Sequence, residues 1–245
     1  MEILDSYARR ARFFPAILAL APALALITIA MPWNLGAPQL LIGIAVAVLV
    51  FFFGDWARRL GLRAERRLFG STGGKPFPTV LRHRDSILDS KSKTRYLAFL
   101  GQRLGERPPT AADEELNPAA ADGFYVRCGN WLRERTRDKQ KFKVLFEENV
   151  TYGFRRNLYG LKWFALSLNL FVVIACLVLI EETRFDSNHW LFVGVLIFAT
   201  IHAIIFFTLV TKTSVIDASD QYGRQLILSC EAFLESEGGQ RTSYE

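Results

Sequence analysis

From Arg133 to Lys143 every second residue is basic: Arg133, Arg135, Arg137, Lys139, Lys141 and Lys143. Six cations this close together suit a polyanion such as an oligonucleotide, because each phosphate they neutralise releases a counterion. Phe142, Phe146, Tyr152 and Phe154 follow, and aromatic faces can stack on bases. Arg155 and Arg156 extend the cationic set. On a strand the alternation would put all six cations on one face, whereas a helix would spread them around its axis. The composition favours helix, with a break near Thr136–Asp138. The plainer reading of the same residues is a solvated helix face whose charge sets orientation in a membrane.

Two further polar residues interrupt apolar surroundings. Asn169 and His202 lie roughly 9 and 12 Å from the basic ends of two charge-free runs, taking 1.5 Å per helical residue. At matching depth they suit a pore-lining or gating pair, or an interhelical hydrogen bond worth about 1 kcal/mol that only fixes packing. Ser167, Thr200 and Thr208 would extend the same polar track. Gly153 and Gly160 occupy equivalent places in an echo, Tyr152-Gly153-Phe154-Arg155 and Tyr159-Gly160-Leu161-Lys162. Seven residues is nearly two helical turns, so both glycines fall on one stripe. Each costs a helix about 1 kcal/mol relative to alanine. They are expected to pack against a neighbouring helix, of this chain or of another subunit.

The residue types argue against several chemistries. Cys128, Cys176 and Cys230 show no CxxC spacing, and the three histidines are far apart, so no metal site is expected. GSTGGKPFPT lacks the GxxxxGK[ST] pattern, because Lys75 is followed by Pro76. No nucleophile motif appears, no paired carboxylates sit within an apolar run, and the adjacent Glu147 and Glu148 diverge on a helix. Neither an enzyme nor a cofactor is expected.

The elements that must position these residues follow from the segregation of charge. Hydrophobic residues make up 51% and charged residues 22% of the 245, yet Phe13–Gly54, Trp163–Ile180 and Ser187–Thr211 carry no Asp, Glu, Lys or Arg at all. A spanning helix needs about 20 apolar residues, so the last two runs fit one helix each. The first is long enough for two, broken by Pro32, Gly36 and Pro38 in a turn at Met31–Gln39. The fold class expected is an all-α integral membrane protein with four transmembrane helices and a helical cytoplasmic region between spans 2 and 3. Of the 30 Lys and Arg, 23 lie between Trp56 and Lys162, which predicts that this segment and both termini face the cytoplasm at a bacterial inner membrane. The organisation is then a cytoplasmic N-terminus (1–12), a transmembrane hairpin (13–55), a basic cytoplasmic domain (56–162), a second hairpin (163–211) and a cytoplasmic C-terminal helix and tail (212–245). Four spans seldom enclose a water path alone, so a pore would need a homo-oligomer.

YGFRRNLYGLKW, the upstream KPFPTVLRHRDSILD and the alanine- and acid-rich connection resemble a group of four-span bacterial proteins. The layout also resembles the membrane effectors of nucleotide-signalling anti-phage systems, the Hailong channel effectors among them. That resemblance implies a tetrameric ion channel working beside a nucleotidyltransferase, opened by an oligodeoxyadenylate on its cytoplasmic face. A non-conducting scaffold, whose basic domain binds lipid or a partner protein, fits the same charge pattern.

Overall fold

The computed structural model describes residues 6–30, 38–70, 77–185 and 189–241. Every regular element among them is helical: α1 (Ser6–Ala30), α2 (Pro38–Leu68), α3 (Phe77–Leu81), α4 (Ser90–Leu104), α5 (Ala111–Leu116), α6 (Pro118–Arg135), α7 (Lys143–Glu182), α8 (His189–Leu209), α9 (Lys212–Leu228) and α10 (Cys230–Arg241). Arg9–Phe13, inside α1, winds as a π-helical turn. The turn expected at Met31–Gln39 lies outside the described residues up to position 37. So do positions 71–76 of the glycine-rich loop and the end of the connection after α7.

Three helices, α1, α7 and α8, are long and apolar enough to cross a membrane. Their large side chains stand open: Trp163 is 71% exposed, Phe171 74% and Trp190 76%, with Leu170, Ile174, Ile201 and Ile204 also exposed. Burying one such side chain stabilises by about 1.5–3 kcal/mol. Leaving them in water forgoes that stabilisation, and contiguous exposed apolar surface marks a membrane or partner contact. These surfaces need an apolar covering.

The chain divides into two compact units, Met1–Ala64 with Gly153–Val215, and Glu65–Tyr152 with Ile216–Glu245. Residues 56–64 and 153–162, expected with the cytoplasmic domain, belong to the first unit.

In the first unit small residues let helices approach closely. Ala11, Ala16, Ala19, Ala57, Ala165 and Ala199 are buried, as expected where helices pack without a water-driven hydrophobic force. One cluster joins Ala19, Ala57, Leu161, Ala165, Phe206 and Val210; a second joins Val172, Cys176, Val195 and Ala199. Lys162 Nζ donates to the Phe207 and Val210 carbonyls at 3.0 and 2.8 Å, closing the C-terminus of α8.

The second unit is a small helical domain with capped ends. Asp89 accepts from Ser92 N–H at 2.8 Å to start α4, and Gly105 ends it at φ 67°, in the left-handed region. Thr110 and Asp113 form a reciprocal capping box on α5. Asn117 caps α6 with Pro118 at its first position. This helix carries the alanines of the connection and continues to Arg135. Leu81, Leu100, Tyr125, Cys128, Leu132, Leu226, Ile227 and Cys230 form a fully buried core.

Candidate functional site

The basic run straddles a break between helices. Arg133 and Arg135 end α6, residues 136–142 are non-helical, and Lys143 opens α7. The break is where the sequence places it. Asp138 makes it, accepting from the amides of Gln140 and Lys141 at 2.9 and 3.0 Å. Those two bonds hold its carboxyl below the usual range. Arg135, Arg137, Lys139, Lys141 and Lys143 are exposed, while Arg133 is half-buried. The cations already touch protein. Arg135 lies 4.1 Å from the Trp131 ring centroid, Lys139 5.1 Å from that of Phe146, and Lys141 5.5 Å from that of Phe142. Arg137 pairs with Glu134 at 2.7 Å. Exposed contacts of this kind are worth about 0.5–1 kcal/mol each, so they compete weakly with a phosphate.

Two of the four aromatic residues expected to stack on bases are taken up by packing. Phe142 is buried against Phe233, and Tyr152 is buried and stacked on Tyr222. Tyr152 also donates its hydroxyl to Glu65 at 2.6 Å. They build the core of the second unit. Arg155 and Arg156 belong to the first unit. Arg155 is exposed and donates to the Ser214 carbonyl at 3.2 Å, whereas Arg156 is buried and reaches Asn157 Oδ1 at 3.3 Å. The eight cations therefore do not form one surface within a unit.

Asn169 and His202 do meet. Asn169 Nδ2 donates to the Ala199 carbonyl at 2.8 Å and lies 3.2 Å from His202 Nδ1. His202 Nε2 lies 2.9 Å from the Leu18 carbonyl. With Nδ1 accepting from Asn169, Nε2 carries the proton and donates to Leu18, which ties α1, α7 and α8 together. Asn169 Oδ1 is buried without a partner among the described residues. Thr200 and Thr208 are exposed and donate back to Leu196 and Ile204 of their own helix, and Ser167 is exposed, so none joins this node.

Both stripe glycines face neighbouring helices of this chain. A Cβ on Gly153 would stand 2.6 Å from Tyr7 Oη, and one on Gly160 would stand 2.5 Å from the Gly61 nitrogen. Asn157, between them, donates to the Ala11 carbonyl at 2.6 Å.

Neither a protein-family model, nor a curated protein, nor a solved structure matches the chain. What it does must be argued from its own geometry.

One constellation in the second unit escapes sequence reasoning. Arg82 pairs through two nitrogens with Asp122, its Nε bonding Oδ1 at 2.8 Å. Lys93, 3% exposed, donates its ammonium to the Arg82 and Asp85 carbonyls, both at 2.6 Å. Burial lowers its pKa, against the attraction of Asp85 and Glu114. Buried Glu114 accepts from His83 N–H and from the Tyr125 hydroxyl, both at 2.8 Å. Burial, then that hydrogen bond, push Tyr125 far up. Every one of these groups has a partner, which marks a structural network. Among the described residues no group of His, Cys, Asp and Glu could hold a metal ion.

Proposed function

We propose that the chain is a four-span membrane protein that assembles into a homo-oligomeric ion channel, opened by an anionic, nucleotide-type ligand on its cytoplasmic side. In this reading α2 (Pro38–Leu68) supplies the fourth span beside α1, α7 and α8. Both termini are cytoplasmic at a bacterial inner membrane, and the setting is anti-phage nucleotide signalling beside a nucleotidyltransferase. The ligand's phosphates are taken by Arg135, Arg137, Lys139, Lys141 and Lys143.

One observation carries the proposal. Lys143, the last cation of the run, is the first residue of α7, a 40-residue helix whose later half is an exposed apolar span. A helix of that length is roughly 60 Å long. Neutralising charge at its first turn therefore acts on the same helix that supplies the span. The likeness in layout to the Hailong effectors supplies the ligand class.

A second reading is a non-conducting scaffold. The Asn169–His202–Leu18 node favours it, because Asn169 Nδ2 and both His202 ring nitrogens are engaged in packing within one subunit.

Conductance separates the two. Purified protein in planar bilayers should show unitary currents only after oligodeoxyadenylate is added on the face carrying the basic unit. A silent bilayer at saturating ligand leaves the scaffold.

A further inference from the structure

A groove of about 470 Å³ runs along the first unit between α1, α7 and α8. On α8 its wall is Phe198, Ile201, His202, Ile205, Phe206 and Leu209, one helical face from position 198 to the helix end at Leu209. Leu18 and Ala21 line it from α1, and Leu158 from α7. Twelve residues of helix make it about 18 Å long, close to the ~15 Å of hydrocarbon in one leaflet.

Its lining changes character at one end. There Arg155, Thr211 and Ser214 replace the apolar side chains. The charge-free run of α8 ends at Thr211, so this end sits where a headgroup layer would begin. The Arg155 guanidinium is exposed and makes one hydrogen bond among the described residues, to the Ser214 carbonyl at 3.2 Å. A guanidinium has five N–H donors, and a planar fork suits two phosphate oxygens. Lys162 is already engaged by the Phe207 and Val210 carbonyls, and exposed Lys212 follows Thr211 but does not line the groove.

We infer that this groove is a binding site for one anionic phospholipid, with an acyl chain along α8 and the phosphate on Arg155. The apolar length fits one leaflet, and Arg155, the one cation among the lining residues, stands at the headgroup end. The site needs only that these helices lie in a bilayer; it does not depend on conduction or on a nucleotide.

The test is native mass spectrometry of the full chain extracted from vesicles of equal phosphatidylglycerol and phosphatidylcholine. The parent protein should retain one phosphatidylglycerol per chain, preferred about tenfold over phosphatidylcholine. Arg155→Gln should bring that preference close to one, and Arg155→Lys should restore part of it. Ala21→Phe, which fills the groove, should abolish retention of both lipids. Ile204→Phe, exposed but not among the lining residues, should leave retention as in the parent. Lipid lost on washing without headgroup preference means annular lipid only and overturns the site, as does an Arg155→Gln protein that keeps the full preference. Arg155 is exposed, so that variant decides the matter even if Ala21→Phe does not fold. Recovery of the parent protein from cells without detergent would instead overturn membrane residence itself.

Discussion

Gly160 meets Gly61 backbone to backbone. A Cβ built on Gly160 would lie 2.5 Å from the Gly61 nitrogen, 2.6 Å from the Leu60 carbonyl carbon and 2.8 Å from the Gly61 Cα. Backbone atoms cannot rotate away as the end of a side chain can. Alanine ordinarily favours a helix over glycine by about 1 kcal/mol. Here the clash outweighs it, because overpacking costs about 1–3 kcal/mol. Gly160→Ala should therefore lower the thermal midpoint in detergent. Gly194→Ala, with nothing within 4 Å of the new methyl, should leave it unchanged or raise it. A Gly160→Ala protein as stable as the parent would show that α2 and α7 do not touch there.

Asn169→Leu removes one hydrogen bond to a carbonyl and one to an imidazole, and also the partnerless Oδ1. Polar contacts between membrane helices are worth about 1 kcal/mol. The variant should insert and fold with a midpoint only a few degrees lower. His202→Leu should cost more, since it frees both Asn169 and the Leu18 carbonyl. If the node also gates conduction, Asn169→Leu changes single-channel open time while insertion is kept. Equal currents in parent and variant confine the pair to packing.

The long elements were legible because their signals are local. Charge-free runs gave α8 and the later part of α7. The matching depth of Asn169 and His202 could be read from spacing alone. Their third partner could not, because the Leu18 carbonyl is backbone and carries no residue-type signal. Phe142 and Tyr152 look like free stacking faces only while Phe233 and Tyr222, far along the chain, are out of view. Glu114 sits in an acid-rich connection that reads as solvated. Its burial follows from Tyr125 and the His83 amide folding over it.

That burial makes Glu114 a stability determinant. Glu114→Leu leaves the Tyr125 hydroxyl and the His83 amide without their acceptor. Unsatisfied buried groups cost about 1–3 kcal/mol each, so the unfolding midpoint should fall strongly. Tyr125→Phe removes one donor from an acceptor that keeps another, and should cost only about 1 kcal/mol. Near-ultraviolet circular dichroism of Tyr and Trp follows both. Equal losses in the two variants would refute the shared-acceptor account.

Asp220 gives the second unit a pH dependence. Its carboxyl is pushed up to about 6 by burial first, then by the charges of Asp85 and Asp217. An unfolded aspartate titrates near 4. Between these values the folded protein holds the proton more tightly than the unfolded chain, so stability falls as pH rises through the window and levels off above it. Asp220 is partly exposed, so solvent screening limits the loss to on the order of 1 kcal/mol. Asp220→Asn should match the parent at pH 4 and exceed it at pH 7. Urea midpoints across that range check the sign, and parallel curves for the two proteins would exclude Asp220 as the titrating group.

The basic break supplies the prediction closest to function. Arg135, Lys139 and Lys143 are exposed, and the first two lie over the rings of Trp131 and Phe146. Replacing all three by Glu removes three cations and adds three anions without disturbing Phe142 or Tyr152 in the core. Each lost phosphate contact lowers the slope of log affinity against log salt by about 0.7 for a single strand. The triple variant should thus bind oligodeoxyadenylate far more weakly and lose about two units of slope. Phe146→Leu, by contrast, should barely change affinity, because its ring holds Lys139 rather than a base. Filter binding from low to high salt separates the outcomes. A triple variant with the parent's affinity and slope assigns these cations to membrane orientation, and a large loss in Phe146→Leu restores base stacking at that ring.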